Sequence, residues 1–85
     1  MISQVETLQQ SRKEIAQRVR QARRFKGWTQ EQAADLLGCS RRRINIIEQG
    51  RGDIWASELV LLAKALEIPI EFFYKGNDSQ LLMQS

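Results

Sequence analysis

The sequence predicts an all-helical fold of five helices in one domain, and three observations carry that reading. Apolar residues recur at helical spacing along most of the chain, glycines and capping residues interrupt them at short intervals, and no segment alternates with the two-residue period of a strand. There is also no internal repeat or low-complexity run. A chain of 85 residues has room for one domain with a small core. A content of 42% hydrophobic and 27% charged residues with a single proline describes a folded chain, with disorder confined to its ends.

Residues 1–10 carry only scattered Ile2, Val5 and Leu8 and either extend the first helix or stand apart as an N-terminal extension. A firmer start is Ser11 with Glu14 three residues on, the pattern of a capping box, and Ile15, Val19 and Ala22 then share one helical face up to Gly27. The second helix is capped by Thr29 with Gln32 at its third position. Trp28 is placed to staple against Ala33, and Gly38 ends the helix. Only two residues later Ser40 caps a third helix, which runs through Ile44 and Ile47 to Gly50. Helices this short do not stand alone in water and must pack on each other and on their neighbours.

From Asp53 to Leu66 nothing breaks a helix, and Leu59, Leu62, Ala63 and Leu66 give a fourth buried stripe. Pro69 suits the first turn of a fifth helix, whose Ile70, Phe73 and Tyr74 close the core before Gly76. The domain is thus expected over residues 11–76, with a C-terminal tail over 77–85.

Two short helices joined by a turn around glycine are the arrangement that lets one helix enter the major groove of DNA while its predecessor braces across the backbone. Counted from Ser40, the third helix should turn Ile44, Ile47 and Glu48 inward and Arg41, Arg42, Asn45, Ile46 and Gln49 outward. Arginine can bind guanine O6 and N7 in bidentate fashion, asparagine can do the same to adenine, and an exposed isoleucine can touch a thymine methyl. Consecutive arginines also serve as plain solvating charge, and Ile46 also fits the margin of a core. Arg43 is better matched to phosphate than to a base.

Charge agrees with this placement. Residues 12–51 hold eleven of the thirteen Lys and Arg against Glu14, Glu31, Asp35 and Glu48, a net +7, and the remainder nets −4. Segregated basic charge is the footprint of a protein that meets a polyanion with one face, although a solvated surface has the same composition. An enzyme fails on inventory: there is no histidine, no glycine-rich phosphate loop and no nucleophile paired with a base. Glu31 and Asp35 at i and i+4 read as solvated surface. With Cys39 the sole cysteine, neither a disulfide within one chain nor a cysteine–histidine zinc site can form. No catalytic residue, metal, cofactor or small-molecule substrate is expected. The N-terminal residues lack a signal-peptide pattern and no stretch is long and apolar enough for a membrane, so the expected location is the cytoplasm. A protein–protein adaptor is the stronger rival, because the fold alone does not settle function.

The run Trp28-Thr29-Gln30-Glu31-Gln32-Ala33-Ala34-Asp35-Leu36-Leu37-Gly38-Cys39-Ser40, followed by Ile44, Glu48, Gly50 and Arg51, resembles the Cro/C1-type helix-turn-helix family, also called the XRE family. The resemblance continues through residues 59–66 and 68–74 and covers about residues 12–76. It implies a five-helix, lambda-repressor-like transcriptional regulator that binds a palindromic double-stranded DNA operator as a homodimer, repressor-like or controller-like in role. It further implies phosphate contacts from Thr29 and Gln30 at the start of the second helix. It pairs Arg23 with Glu48 as a structural ion pair, and it places phosphate or minor-groove contacts in the loop after Gly50, here resting on Arg51. The DNA-contacting set is then Thr29, Gln30, Ser40, Arg41, Arg42, Arg43, Asn45, Ile46, Gln49 and Arg51. A dimer surface is expected at the fifth helix and tail, through Phe72, Leu81, Leu82 and Met83. With no sensor domain expected, regulation would follow protein concentration through dimerisation and operator occupancy.

Three features depart from the family pattern. Arg51-Gly52-Asp53-Ile54-Trp55 replaces a loop that often contains proline; Asp53 is read as the cap of the fourth helix, and Trp55 is open between core, subunit contact and DNA. Glu67 stands where a helix-ending glycine is usual, at a cost of about 1 kcal/mol if its backbone is left-handed. Cys39 replaces a small aliphatic residue and is read as a buried turn residue without chemistry.

Overall fold

The computed structural model describes the backbone of residues 4–74 and side chains from Thr7 onward. Five helices follow in order: α1 (Gln4–Phe25), α2 (Gln30–Leu37), α3 (Arg41–Glu48), α4 (Ala56–Leu66) and α5 (Glu71–Tyr74). Gly76, residues 77–85 and with them Leu81, Leu82 and Met83 lie outside the described residues.

Helix α1 begins before the expected cap. Ser11 sits within the helix, so its hydroxyl caps nothing, and residues 4–10 continue α1. Arg23 and Arg24 occupy the last turn, where their charge opposes the negative end of the helix dipole. Val19 and Ala22 from α1 join Leu59, Leu62, Ala63, Leu66 and Phe73 in the main core, with Ile15, Leu36, Leu37, Ile54, Ile68 and Ile70 packed around them. A smaller cluster of Ala33, Ala34 and Ile44 joins α2 to α3, and Trp28, Leu37 and Cys39 cover it. The cores meet through Trp28 and Leu37, so the helix pair is not free to move independently of the domain.

The fourth helix corrects one expectation. Its cap is Trp55, not Asp53, and the Trp55 amide donates to Glu58 Oε1 at 2.8 Å. Indole has no acceptor to offer in return, so this is half of a capping box. Asp53 instead faces Arg12 of α1. Helix α4 ends at Glu67, whose φ of 57° and ψ of 47° are left-handed, the condition under which a cost of about 1 kcal/mol is expected there. In α5 the fully buried residue is Phe73, whereas Tyr74 is exposed and does not close the core. Phe72, expected to lack a core role, is half-buried, meets Phe73 edge-on at 5.7 Å, and lies under the Arg18 guanidinium at 5.0 Å.

Candidate nucleic-acid interface

The interface is built from α2 and α3, and local chemistry explains why both helices start and stop where they do. Thr29 Oγ1 accepts from the Gln32 amide at 3.1 Å while Gln32 Oε1 accepts from the Thr29 amide at 2.7 Å, a complete capping box. At the other end Gly38 has φ 69°, a conformation that costs other residues energy but not glycine, and the following Cys39 amide closes onto the Ala34 carbonyl at 3.0 Å. Ser40 then accepts from the Arg43 amide through Oγ at 3.1 Å and opens α3. The intervening turn is therefore Gly38, Cys39 and Ser40, short enough to fix the direction of α3 relative to α2.

Two ion pairs lock α3 from opposite sides. Near its C-terminal end Glu48 receives Arg23 Nε at 2.7 Å and Nη2 at 3.0 Å, while Arg23 Nη1 donates to the Trp28 carbonyl at 2.7 Å. Their side chains are 11% and 3% exposed, so this is a buried, bidentate and fully hydrogen-bonded pair. Nearer the N-terminal end Arg43 gives two bonds to Glu58 of α4, at 2.5 and 2.9 Å, and a third to the Asp53 carbonyl at 3.1 Å. The hydrogen bond with Glu58 is the main reason that the Arg43 guanidinium is held above, and the Glu58 carboxyl below, their ordinary pKa values.

That second pair differs from expectation. A guanidinium committed to Glu58 and to a loop carbonyl is a brace, and Arg43 reaches α4 rather than standing free for phosphate. No sequence pattern announced Glu58 as its partner, because tryptophan is not a capping residue and the spacing from Trp55 to Glu58 therefore carries no capping signal. Trp55 lies outside the core at 69% exposure, with the Arg43 guanidinium 6.0 Å from its ring centre.

The remaining face of α3 carries exposed Arg41, Arg42, Asn45 and Gln49 and half-buried Ile46, while Ile44, Ile47 and Glu48 are buried, matching the expected division. Ile46 is packed from behind by Gly52, where an added Cβ would lie 2.9 Å from Ile46 Cγ2. The loop thus needs glycine at 52 for room. Arg51 is exposed just beyond α3, its amide bonded to the Ile46 carbonyl at 3.1 Å. Thr29 is exposed and engaged as a cap. Gln30 is less free than expected: its Nε2 donates to Asn45 Oδ1 at 3.3 Å and to Glu48 Oε1 at 3.2 Å. A polar relay therefore runs from Arg23 through Glu48 and Gln30 to Asn45, tying an outward-facing amide to the buried pair.

This is the architecture of a helix-turn-helix domain: a short bracing helix, a tight turn, and a second helix held rigidly with its polar and cationic side turned out. Residues 19–73 match the helix-turn-helix family HTH_3, more than half of the chain. The chain belongs to that family, the XRE or Cro/C1-type transcriptional regulators, and carries its DNA-binding fold. It is similar to an uncharacterized transcriptional regulator in the ATPase CF(0) region of Rhodospirillum rubrum, with 43% identity over 60 residues. That match takes in 71% of this chain and 56% of the relative, so the chain spans little more than half the relative's length.

Among solved structures it is similar to the restriction-modification controller protein C.AhdI from Aeromonas hydrophila, with TM-score 0.66 and 30% identity over 74% of this chain and 96% of that one. A hypothetical transcription factor, NHTF, from Neisseria aligns with TM-score 0.73 and 28% identity over 89% of this chain and 87% of that one. An HTH_3 family transcriptional regulator from Vibrio cholerae aligns with TM-score 0.71 and 27% identity over 91% of this chain but 43% of its own. The family and these structural neighbours are transcription regulators rather than enzymes. Among the described residues, no helix is long and apolar enough to cross a membrane.

Proposed function

We propose that this protein binds a palindromic operator in double-stranded DNA as a homodimer and regulates transcription by occupying it. The single observation that carries the reading is the outward face of α3: Arg41, Arg42, Asn45 and Gln49 project from a helix locked by two ion pairs, with Ile46 beside them. A rigid helix limits the ordering cost of reading bases, and these side chains supply donors for guanine and adenine and a methyl contact for thymine. Thr29, Gln30, Ser40 and Arg51 surround that face and grip backbone phosphate, aided by the positive N-terminal end of α2. Arg43 is left out of the phosphate set because Glu58 and the Asp53 carbonyl occupy it.

Dimerisation supplies the second half-site. Phe72 with Ala22, Phe25 and Ile68 lines an apolar depression of about 400 Å³ beside α5, and Phe25 and Tyr74 are exposed nearby. Apolar surface of this kind suits a subunit contact. The similarity to the restriction-modification controller protein from Aeromonas hydrophila, over 96% of that chain, supports a controller-like regulatory role.

Selection of bound duplexes from a random pool tests the proposal. The expected product is a palindrome with half-sites about one helical turn, or 34 Å, apart. Arg41→Ala should then cost about 1–3 kcal/mol of binding and relax preference at one base position. Recovery of no enriched sequence would overturn sequence-specific operator binding.

A further inference from the structure

Behind the C-terminal end of α3 lies a polar pocket of about 310 Å³ lined by Arg20, Arg23 and Arg24 of α1 together with Gln30, Asn45, Glu48 and Gln49. The three arginines stand at i, i+3 and i+4, one face of a helix. They are not equivalent. Arg23 is buried and spent on Glu48 and the Trp28 carbonyl. Arg20 and Arg24 are exposed, and among the described residues neither has an acidic partner within ion-pair distance. Glu48 is the sole acid of the lining, and both its oxygens are already satisfied. The pocket therefore carries two uncompensated guanidinium groups on a rim shared with the residues that face the groove.

Building on the DNA-binding reading, we propose that Arg20 and Arg24 form a phosphate grip on α1, contacting the DNA backbone that borders the groove entered by α3. The position decides the ligand. Helix α1 packs behind α3 and does not itself enter the groove, so its side chains meet the groove wall, which is phosphate and sugar, and not base edges. Gln30 at the start of α2 lines the same pocket, so the positive end of that eight-residue helix adds to the same field. The buried Arg23–Glu48 pair beneath is neutral overall and holds α1 to α3, fixing where the grip stands relative to Asn45 and Gln49. Arg20 and Arg24 thus set register and affinity, whereas α3 sets sequence preference.

The test compares wild type with Arg20→Gln, Arg24→Gln and the double variant. Each is titrated with a mixed-sequence duplex and with the selected operator across a salt series, alongside a thermal melt. Glutamine keeps helix propensity, so melting should change by no more than a few degrees, the part owed to the Arg24 charge at the negative end of the α1 dipole. In the homodimer each substitution removes two phosphate contacts, so the slope of log affinity against log salt should become shallower by about 1.8, and the double variant should lose roughly a hundredfold less affinity than wild type over a fourfold rise in salt. Arg→Lys variants should restore the slope, and the ranking of duplex sequences should not move, in contrast to Asn45→Ala. Wild-type binding with a steep slope that the double variant leaves unchanged overturns the grip while leaving the DNA-binding reading intact. A flat slope in wild type itself overturns both.

Discussion

The two ion pairs that hold α3 use the same chemistry, a bidentate arginine and glutamate, in different surroundings. Arg23–Glu48 is sealed between α1 and α3, with side chains 11% and 3% exposed; Arg43–Glu58 spans α3 and α4 with side chains 31% and 13% exposed. In the first pair, each partner alone would be a buried charge without a counterion. In the second, water reaches one side of the guanidinium and can solvate what a mutation leaves behind. The contrast teaches that the same bonds differ in consequence through what happens when one partner is lost.

The strongest way to break the comparison is therefore at Glu48. Glu48→Ala leaves Arg23 charged and enclosed, also strips an acceptor from Gln30, and should cost about 3–5 kcal/mol. For a domain of this size each kcal/mol moves the thermal midpoint by about 4–8 °C, so the loss is large in a circular dichroism melt. An unchanged midpoint would sink the structural role given to this pair.

Glu58→Ala should cost less, about 1–2 kcal/mol, because the Arg43 guanidinium is partly solvated, but it should also weaken DNA binding by loosening α3 against the loop over 51–55. The pair also has a signature in pH. The hydrogen bond from Arg43 is the largest influence on the Glu58 carboxyl, and outweighs desolvation to hold it below its usual value of 4.5. A carboxyl depressed in the folded state contributes stability that is fully present above its unfolded value and is lost as pH falls through its folded one. Melting of wild type should therefore fall more on acidification below about 4.5 than melting of Glu58→Gln, in which this group no longer titrates. Parallel curves for the two proteins would remove Glu58 from the account.

The same contrast explains what could be read from the sequence. The ends of α2 and α3 were legible because their determinants are local: Thr29 with Gln32, Gly38 at the turn and Ser40 at the next start all act within a few residues. The buried and exposed sides of α3 followed from helical periodicity. Arg23–Glu48 was visible through family resemblance, not through spacing. Arg43–Glu58 and Arg12–Asp53 were not visible, because their partners lie 15 and 41 residues apart and meet only after the chain turns through a loop that departs from the family. Asp53 was misread for that reason: an acid before a helix resembles a cap until a distant arginine claims it. Ser11 was misread because its cap pattern lies inside a helix that had already begun.

A yardstick of opposite sign lies at Glu67, where strain comes from the backbone and no ion pair intervenes. With φ at 57°, Glu67→Gly should relieve about 1 kcal/mol and raise the melting midpoint by about 4–8 °C, with DNA binding unaffected. Comparing that gain with the loss in Glu58→Ala calibrates the half-exposed pair against a defect whose origin is independent of charge. A lowered midpoint would mean that the Glu67 side chain contributes more than its backbone costs.

The smallest effect is expected at Arg12–Asp53, the third pair and the far end of the exposure series. Arg12 Nε and Nη2 meet the Asp53 carboxylate at 2.7 and 3.1 Å, a geometry as good as that of the buried pair, yet the side chains are 39% and 64% exposed. The Asp53 carboxyl is held below its ordinary pKa chiefly by the hydrogen bond from Arg12, so the contact exists, but water and salt compete for both partners. Arg12→Ala should leave the melting midpoint within experimental error and should not change its salt dependence. If it instead destabilised the domain as much as Glu58→Ala, exposure would not be what separates these pairs. The anchoring of the loop over 51–55 to α1 would then rank with burial as a reason why α3 stays in place.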